Sequence, residues 1–320
     1  MNKAAMILSV LVFLGLPIVS RADASWNIAT HADCTRPDGS SYFTEIISLN
    51  DGTVRFTQGD SLPDVEYLIH KGLAYEAAED GESFLSSTAN LVEFVQGHDI
   101  HRMILDLPVE EPRPERFVFE IAPENGGGEV IIELSDWRPV VQLELPHKAV
   151  IIHNNEHFTF DFTEILPFHL APHTMLSDSA KVAFDRLGDL YQIAALHERG
   201  MAAHRATDVD MILEDMGPTS VISSRGHLYT SNRQSARKIF ESYFAETTFD
   251  FYADVKVPVI DLAADGSLGW LACEIEASGT VVDEFGASSE LEFGYSWVEL
   301  LNKTDGRWFN VGNASCERLR

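Results

Sequence analysis

Basic residues are scarce in this sequence. Its 320 residues include 23 Lys and Arg against 50 Asp and Glu, which gives a formal net charge of −27 at pH 7. Nucleic-acid binding needs a basic surface to meet the phosphates, and anionic membrane surfaces attract basic segments. The composition therefore argues against nucleic acid and against an anionic membrane surface as partners.

Cysteine is scarce as well, since only Cys34, Cys273 and Cys316 are present. They form no Cys-x-x-Cys pair and no zinc-type spacing. Three thiols allow at most one intramolecular disulfide, and spacing alone does not choose among the three pairings. A chain of this length can bury a sizeable core, so the fold requires neither a disulfide nor a metal.

Motifs of common enzyme classes are also missing. The chain has no Gly-x-Ser-x-Gly elbow and no His-Glu-x-x-His pair, and residues 126–128 lack the strand–helix setting of a phosphate loop. Five histidines fall within 27 residues, but they match no metal motif and we interpret them as scattered surface side chains: His147, His153, His157, His169 and His173. The sequence predicts no cofactor, no metal and no nucleophilic hydrolysis.

Long hydrophobic runs are absent after the first 24 residues. Lys3 supplies a positive start, residues 4–19 are an almost unbroken apolar run, and Ala22, Asp23 and Ala24 form a small-x-small cleavage pattern. The run of about 16 residues is shorter than the roughly 20 needed to span a bilayer. We predict that residues 1–24 are a signal peptide and that the mature chain is soluble and exported, periplasmic or extracellular, without an integral membrane segment. An uncleaved anchor is the alternative.

Residues 25–172 are dominated by short apolar runs between turn signals, which is typical of antiparallel strands. One segment, residues 83–96, is predicted to be a short helix. The pattern indicates a β-rich N-terminal domain that could form an open half-barrel for apolar ligands. It resembles no family.

Residues 177–320 have a different pattern and form the predicted second domain. Ser177 is the expected N-cap of a long helix that ends near His204, followed by a short helix over 207–216 and a third over 231–245. A short strand over 220–223 precedes the third helix. Four long strands complete the chain, at about 249–255, 268–277, 291–301 and 307–315.

Three segments of this half carry a recognisable pattern: Met201–Leu213 at the end of the long helix, Asp265–Leu271 at the entry of a strand and Trp297–Val311 over the closing hairpin. Together they resemble the SnoaL-like branch of the nuclear transport factor two-like superfamily. The resemblance covers about residues 177–318. It implies an α+β fold in which a curved, mixed or antiparallel sheet wraps three helices as a cone, with a pocket between sheet and helices.

The same superfamily includes isomerase-, cyclase- and epoxide hydrolase-like enzymes and many domains without known catalysis. The isomerase-like pattern places a proton-moving carboxylate on the first strand after the second helix. This chain has Ser223 and Ser224 there, and a hydroxyl without a paired base cannot replace a carboxylate. Ketosteroid-type isomerisation is therefore disfavoured.

The candidate pocket residues follow from periodicity. His197 and His204 are seven residues apart on one helix face, about 10 Å along the axis, too far to chelate one metal without help from elsewhere. Tyr191 lies near the same face. The strand residues are expected to share faces in two groups: Trp270 with Glu274, and Phe293 with Tyr295 and Trp297.

These observations lead to three functional hypotheses. The first is an exported protein that binds a small apolar molecule beside Tyr191, His197, His204, Trp270, Phe293, Tyr295 and Trp297. The second is an acid–base enzyme acting on a lipid- or polyketide-like substrate, with His204 as base and Tyr191 or Glu274 as donor. The third is a structural module that forms a homodimer through an open sheet face.

Overall fold

The computed structural model describes residues 26–318 except 61–62, 71–72, 78–83, 91–99, 107–114, 122–127, 142, 154, 175, 178 and 284. The chain divides into two compact units. The first contains the residues up to Ile165 together with Ser177–Leu187, and the second contains Leu166–Leu176 and Gly188–Arg320. The described residues are mostly β-strand with three helices, which confirms the α+β class. The predicted signal peptide lies outside the described residues.

The first unit is a series of antiparallel strands. Consecutive strands pair from β1 to β6 and from β7 to β11, and β1 also pairs with β11. The strands are β1 (Asn27–Thr35), β2 (Ser41–Ser48), β3 (Val54–Gly59), β4 (Pro63–His70), β5 (Leu73–Ala77), β6 (Phe84–Asn90), β7 (Ile100–Asp106), β8 (Arg116–Ile121), β9 (Glu129–Val140), β10 (Leu143–His153) and β11 (Glu156–Leu170).

The core of the first unit is made by alternate residues of these strands. Ile46, Phe56, Ile132, Ile151 and Phe160 are almost completely buried in one cluster. Because side chains alternate between the two faces of a strand, this pattern leaves the intervening residues on the other face.

The predicted helix over residues 83–96 is wrong for its first half. Residues 84–90 form β6, which pairs with β5. Three of the seven residues of β6 are Ser or Thr, which are poor helix formers, and the neighbouring strand supplies the backbone hydrogen bonds. Residues 91–99 lie outside the described part of the chain.

The second unit follows the predicted order of long helix, short helix, strand, helix and strands, with one further strand before the last helix and one further short strand after it. Its elements are α1 (Ala180–Ala206, of which 188–206 belong to this unit), α2 (Val209–Glu214), β12 (Met216–Ser224), β13 (His227–Asn232), α3 (Arg233–Glu246), β14 (Thr247–Asp254), β15 (Val259–Leu262), β16 (Leu268–Val282), β17 (Ser288–Thr304) and β18 (Arg307–Arg318). The domain boundary expected between residues 172 and 177 stays a prediction.

The sheet of the second unit is mixed. Its strand order is β13–β12–β18–β17–β16–β14, antiparallel except for the parallel pair β12–β18. The short strand β15 pairs with the start of β16 and, in parallel, with the end of β11. Strands β13 and β15 are the two elements of this sheet that the sequence did not predict.

Short polar side chains fix the starts of the two later helices. Asp208 caps α2 by accepting from Met211 N at 3.0 Å, and Asn232 caps α3 by accepting from Ser235 N at 2.9 Å. The sequence pattern predicts that this helix begins at residue 207, one residue before the observed cap. Thr207 instead has a positive φ of 52°, which places it in the turn before the cap.

Burial along β16 alternates without interruption from Gly269 to Gly279 and shows which face meets the helices. Ile275 and Ala277 pack with Met201 of α1 in a buried cluster, and a Cβ on Gly269 would lie 3.0 Å from Ile193 of the same helix. We call this helix-facing side of the β16–β17–β18 sheet the inner face and the opposite side the outer face.

None of the described helices combines the length and the apolar character that crossing a membrane would need.

Candidate functional site: an aromatic inner face between two histidines

The inner face carries a row of aromatic side chains from β17. In the β16–β17 register, Trp297 is opposite Cys273, Tyr295 is opposite Ile275, and residue 293 is opposite residue 277. Directly opposed residues lie on the same side of a sheet. Phe293, Tyr295 and Trp297 therefore share the inner face, as their alternation in the sequence predicts, and all three are only partly buried.

An unbroken series of ring contacts connects His197 to His204. Neighbouring ring centroids along it are 4.5–6.5 Å apart, a spacing at which aromatic rings interact favourably. In order, the rings are His197, Trp297, Tyr295, Phe293, Phe249, Tyr252 and His204. The inner face is thus a continuous aromatic surface with an imidazole at each end.

His204 lies inside a box of aromatic rings. Its imidazole stacks on Tyr252 at 4.5 Å and makes edge contacts with three phenylalanines at 5.7–6.3 Å: Phe240, Phe244 and Phe249. Burial in these surroundings lowers the pKa of His204 to about 4, although its bond to Gly200 opposes the change. The ring is therefore neutral at physiological pH.

The hydrogen bond of His204 determines which nitrogen is free to accept. Its Nδ1 lies 2.7 Å from the carbonyl oxygen of Gly200, so in the neutral ring Nδ1–H donates to that oxygen. Nε2 then carries a lone pair. The box thus presents one hydrogen-bond acceptor in apolar surroundings.

At the other end of the series, His197 is bound to a carboxylate of β14. Its Nε2 lies 2.9 Å from Asp254 Oδ2, and both side chains are at least 89% buried. Burial alone would lower the pKa of His197, but the charge and hydrogen bond of Asp254 outweigh it and raise the pKa. Trp297 covers the imidazole with a centroid separation of 6.0 Å.

Two further polar side chains surround this histidine. Cys273 is buried on the inner face of β16, and burial followed by the charge of Asp254 raises the pKa of its thiol. Glu299, two residues along β17 from Trp297, accepts the indole N–H of Trp297 at 2.9 Å. Asp254 Oδ1 and Glu299 Oε2 are buried and have no hydrogen-bond partner in the described part of the chain.

A hydroxyl network lies beside the aromatic row. Tyr295 donates to Ser315 Oγ at 2.7 Å, and its hydroxyl is 3.2 Å from Ser224 Oγ. Ser224 is one of the two serines at the position where an isomerase-like carboxylate was expected. In the structure its hydroxyl contacts the hydroxyl of Tyr295, which is not a base that could activate it.

Trp270 and Glu274 are not brought to the inner face. They alternate with the buried residues of β16 and therefore point to the outer face. Glu274 forms ion pairs at 2.5 Å with Lys256 and at 3.7 Å with Arg318, and the bond with Lys256 lowers its pKa. A carboxyl group with a lowered pKa is ionised and has no proton to give. Glu274, which also faces outward in ion pairs, therefore does not fit the expected role of proton donor.

Tyr191, the remaining candidate, is partly buried on α1. None of the ring contacts that connect His197 to His204 involves it.

Asp254, Glu299, Phe249 and Tyr252 belong to the candidate site but were not predicted. Tyr252 and Asp254 are two residues apart in β14, a spacing that puts both on one face, so alternation alone could have grouped them. Their proximity to His197 depends on the pairing of β14 with β16, where Asp254 is opposite Ile275. That pairing is non-local and has no signal in the local sequence.

The other two cysteines, Cys34 and Cys316, are not among the residues of the candidate site, and neither is the histidine-rich stretch. Cys34, Cys273 and Cys316 are all free thiols in the structure. His173 binds Asp261 at 2.7 Å, which fastens residues 171–174 to β15 together with the hydroxyl of Thr174. Of the other four histidines, His157 is exposed on β11.

Neither the protein-family models nor the curated proteins give a match to this chain. Among solved structures, the chain is similar to a ketosteroid isomerase-like protein from Erwinia carotovora atroseptica, with 17% identity, a TM-score of 0.34, and coverage of 41% of this chain and 98% of that one. It is also similar to an NTF2-like (nuclear transport factor two-like) protein from Cytophaga hutchinsonii, with 12% identity, a TM-score of 0.33, and coverage of 39% and 95%.

A third similar structure is a protein with a cystatin-like fold from Caulobacter vibrioides, with 11% identity, a TM-score of 0.34, and coverage of 41% of this chain and 91% of that one. The structural neighbours of this chain thus include NTF2-like and ketosteroid isomerase-like proteins, which match about two fifths of its length.

Proposed function

We propose that the inner face of the second unit binds a small, largely apolar molecule that donates one hydrogen bond to His204. The observation that carries this proposal is the lone pair of His204 Nε2 within a box of four aromatic rings. An apolar site with one well-placed polar group is the usual composition of a small-molecule pocket.

The aromatic row on β17 supports the same proposal. Phe249, Phe293, Tyr295 and Trp297 remain only partly buried although they lie on the helix-facing side of the sheet. Each aromatic side chain contributes a large apolar area, so partial exposure of four of them leaves apolar surface that a ligand could cover. Ring surface left accessible on this face favours a planar apolar ligand.

A matched pair of probes tests the polar contact. 2-Naphthol has a hydroxyl donor and 2-methoxynaphthalene has none, while their ring systems are the same. We expect saturable quenching of tryptophan fluorescence by both, and substitution of His204 by Phe should weaken 2-naphthol binding by about three- to tenfold, the value of one hydrogen bond. Binding of 2-methoxynaphthalene should change little, because the aromatic box is preserved.

The control for this experiment is Phe285→Ser. Phe285 is the most exposed large hydrophobic residue among those described, at 86%, so it reports non-specific adsorption of the probes. Equal 2-naphthol binding by the wild type and by His204→Phe would refute the contact with His204. An absence of saturable binding to the wild type would refute the binding function.

The acid–base enzyme hypothesis receives less support from the same geometry. A general base works best when its pKa is near the working pH, and the pKa of His204 is about 4. The imidazole is therefore a good hydrogen-bond acceptor and a weak base. Its expected partner Glu274 lies on the outer face in two ion pairs.

We also propose that the protein acts outside the cytoplasm, on the basis of the leader pattern in residues 1–24. Expression of the full chain followed by intact mass measurement should give a product that begins at Ser25. A product that retains Met1 and fractionates with membranes would contradict export of a cleaved, soluble form.

The outer face supports a homodimer as an additional proposal. Leu300 is 51% exposed and lies opposite Trp270 on one side and Gly312 on the other, and Val221 on the next strand is 49% exposed. These residues form a row across β16, β17, β18 and β12 in which Leu300 and Val221 leave apolar surface accessible. Contiguous apolar surface of this kind is typical of protein–protein contacts.

A further inference from the structure

Three elements bring potential metal ligands together at the His197 end of the inner face. One ligand atom each from His197 on α1, Asp254 on β14 and Cys273 on β16 lies within 4.8 Å of the other two. His197 and Cys273 are buried, and Asp254 Oδ2 is already in contact with the imidazole at 2.9 Å. Ligand atoms this near to one another could share one ion.

The charges around this point are unbalanced. The charged groups that act most strongly on His197 and Cys273 are all acidic: Asp254, Glu299 and Glu198. Asp254 and Glu299 each have a buried carboxylate oxygen without a partner in the portion of the chain that the structure describes. Buried carboxylates are costly unless they are paired or bind a metal, so a cation at this point would offset both.

We propose that His197, Asp254 and Cys273 bind one divalent transition-metal ion, with zinc as the best fit. Imidazole nitrogen, carboxylate oxygen and thiolate sulfur are the three ligand types of protein zinc sites, and a soft thiolate disfavours magnesium and calcium. Glu299 is not among these mutually close ligand atoms, but it contributes negative charge that the ion would offset. Binding requires the thiol of Cys273 and Nε2 of His197 to lose their protons to solvent, and no oxidation is involved.

This proposal is independent of ligand binding at His204 and reverses the prediction of no metal. The sequence spacing excluded chelation by His197 and His204 together, and that exclusion holds because two helical turns separate them. The partners of His197 come instead from two strands that lie 57 and 76 positions further along the chain.

Cobalt(II) titration of the chelator-treated, reduced full chain tests the site. A thiolate bound to cobalt gives a charge-transfer absorption in the near ultraviolet, so the band reports Cys273 specifically. We expect one equivalent of cobalt per chain, loss of the band when zinc is added, and a zinc-dependent rise in Tm. Cys273→Ser should abolish the band and weaken zinc binding by at least about tenfold.

The matched controls are Cys34→Ser and Cys316→Ser, which should keep the band because neither thiol belongs to the cluster. A wild-type chain that shows no charge-transfer band overturns the proposal without any variant. A band that persists in Cys273→Ser, or disappears in Cys316→Ser, assigns the sulfur ligand elsewhere and also overturns it. If Cys273→Ser does not fold, His197→Asn is the second variant, and retained stoichiometric cobalt binding with an unchanged band refutes the site.

Discussion

His204 illustrates how a single side chain links burial to acid stability. Its pKa is about 6.5 when unfolded and about 4 in the folded protein, because burial disfavours the charged form and Arg205 adds a repulsive charge. The unfolded chain therefore binds a proton that the folded chain does not take up until lower pH. The resulting stability is fully present above pH 6.5 and is lost as the pH falls toward 4.

When the pH is lowered from 7.5 to 4.5, we expect the free energy of unfolding to fall less in His204→Leu than in the wild type. The two losses should differ by about 2–3 kcal/mol, because each unit of pKa shift corresponds to about 1.4 kcal/mol. Urea unfolding of both proteins at the two pH values measures it. His157→Leu changes an exposed histidine and should retain the wild-type dependence, and parallel pH profiles for wild type and His204→Leu would contradict the burial argument.

Two aspartates one turn apart on α1 have very different surroundings. Asp189 is 4% exposed and accepts from Lys303 Nζ at 2.5 Å and from Trp308 Nε1 at 3.0 Å, which joins the helix to the β17–β18 hairpin. Asp185 is exposed and forms an ion pair with the exposed Lys181 at 2.7 Å. Replacing each aspartate by alanine therefore compares the loss of a buried ion pair with the loss of an exposed one.

Asp189→Ala should destabilise the protein by about 2 kcal/mol, because it removes the acceptor of two donors, one of them charged. Asp185→Ala should change the free energy of unfolding by less than about 0.5 kcal/mol, as exposed ion pairs contribute little. Guanidinium unfolding of both variants measures the difference. Equal losses would show that the hairpin does not depend on Asp189.

At the scale of the elements, two glycine positions should respond in opposite ways to substitution by alanine. A Cβ at Gly279 of β16 would lie 2.0 Å from the carbonyl oxygen of Thr248, where β14 has an irregular register. A Cβ at Gly200 of α1 would meet nothing within 4 Å. Backbone blocks the first position, whereas the second is an open helical site.

We expect Gly279→Ala to cost about 3 kcal/mol or more, since the contact is with backbone and β14 must move. Gly200→Ala should stabilise the protein by up to about 1 kcal/mol, because alanine is the better helix former. Thermal unfolding of the two variants shows whether each substitution lowers or raises the stability of the protein. A stabilised Gly279→Ala would mean that β14 is not held against β16 as the register indicates.

The elements of the second half were predictable because their signals are local. Turn residues at Asp265 and Asp305 and alternating apolar residues define strands β16 to β18, and the helical repeat defines α1. The failures have equally physical origins. Periodicity groups Trp270 with Glu274 correctly, but it does not say which face of β16 meets the helices, so both were assigned to the wrong side for a pocket.

For the candidate site as a whole, the sequence points to the two histidines and the β17 aromatics but not to the polar groups around His197. His197, His204 and the β17 aromatics follow from single-element periodicity. Asp254, Glu299 and Cys273 become neighbours only through strand pairing between distant segments, which no local pattern encodes. The metal ligands proposed above therefore could not be predicted, and the same limitation hid the apolar row of the outer face.

At the scale of the molecule, that apolar row predicts self-association. Leu300 lies over Gly312, whose Cβ would come within 3.1 Å of it, and Leu300 and Val221 are each about half exposed. If two copies pair through this face, Leu300→Glu should convert a dimer into a monomer in sedimentation velocity at micromolar concentration, because a buried unpaired carboxylate is costly.

Ile239→Glu is the matched control, since Ile239 is 52% exposed on α3 and not on the sheet. A monomeric wild type, or a dimer lost in Ile239→Glu and kept in Leu300→Glu, would place the contact elsewhere and leave Trp270 and Leu300 as ordinary surface residues.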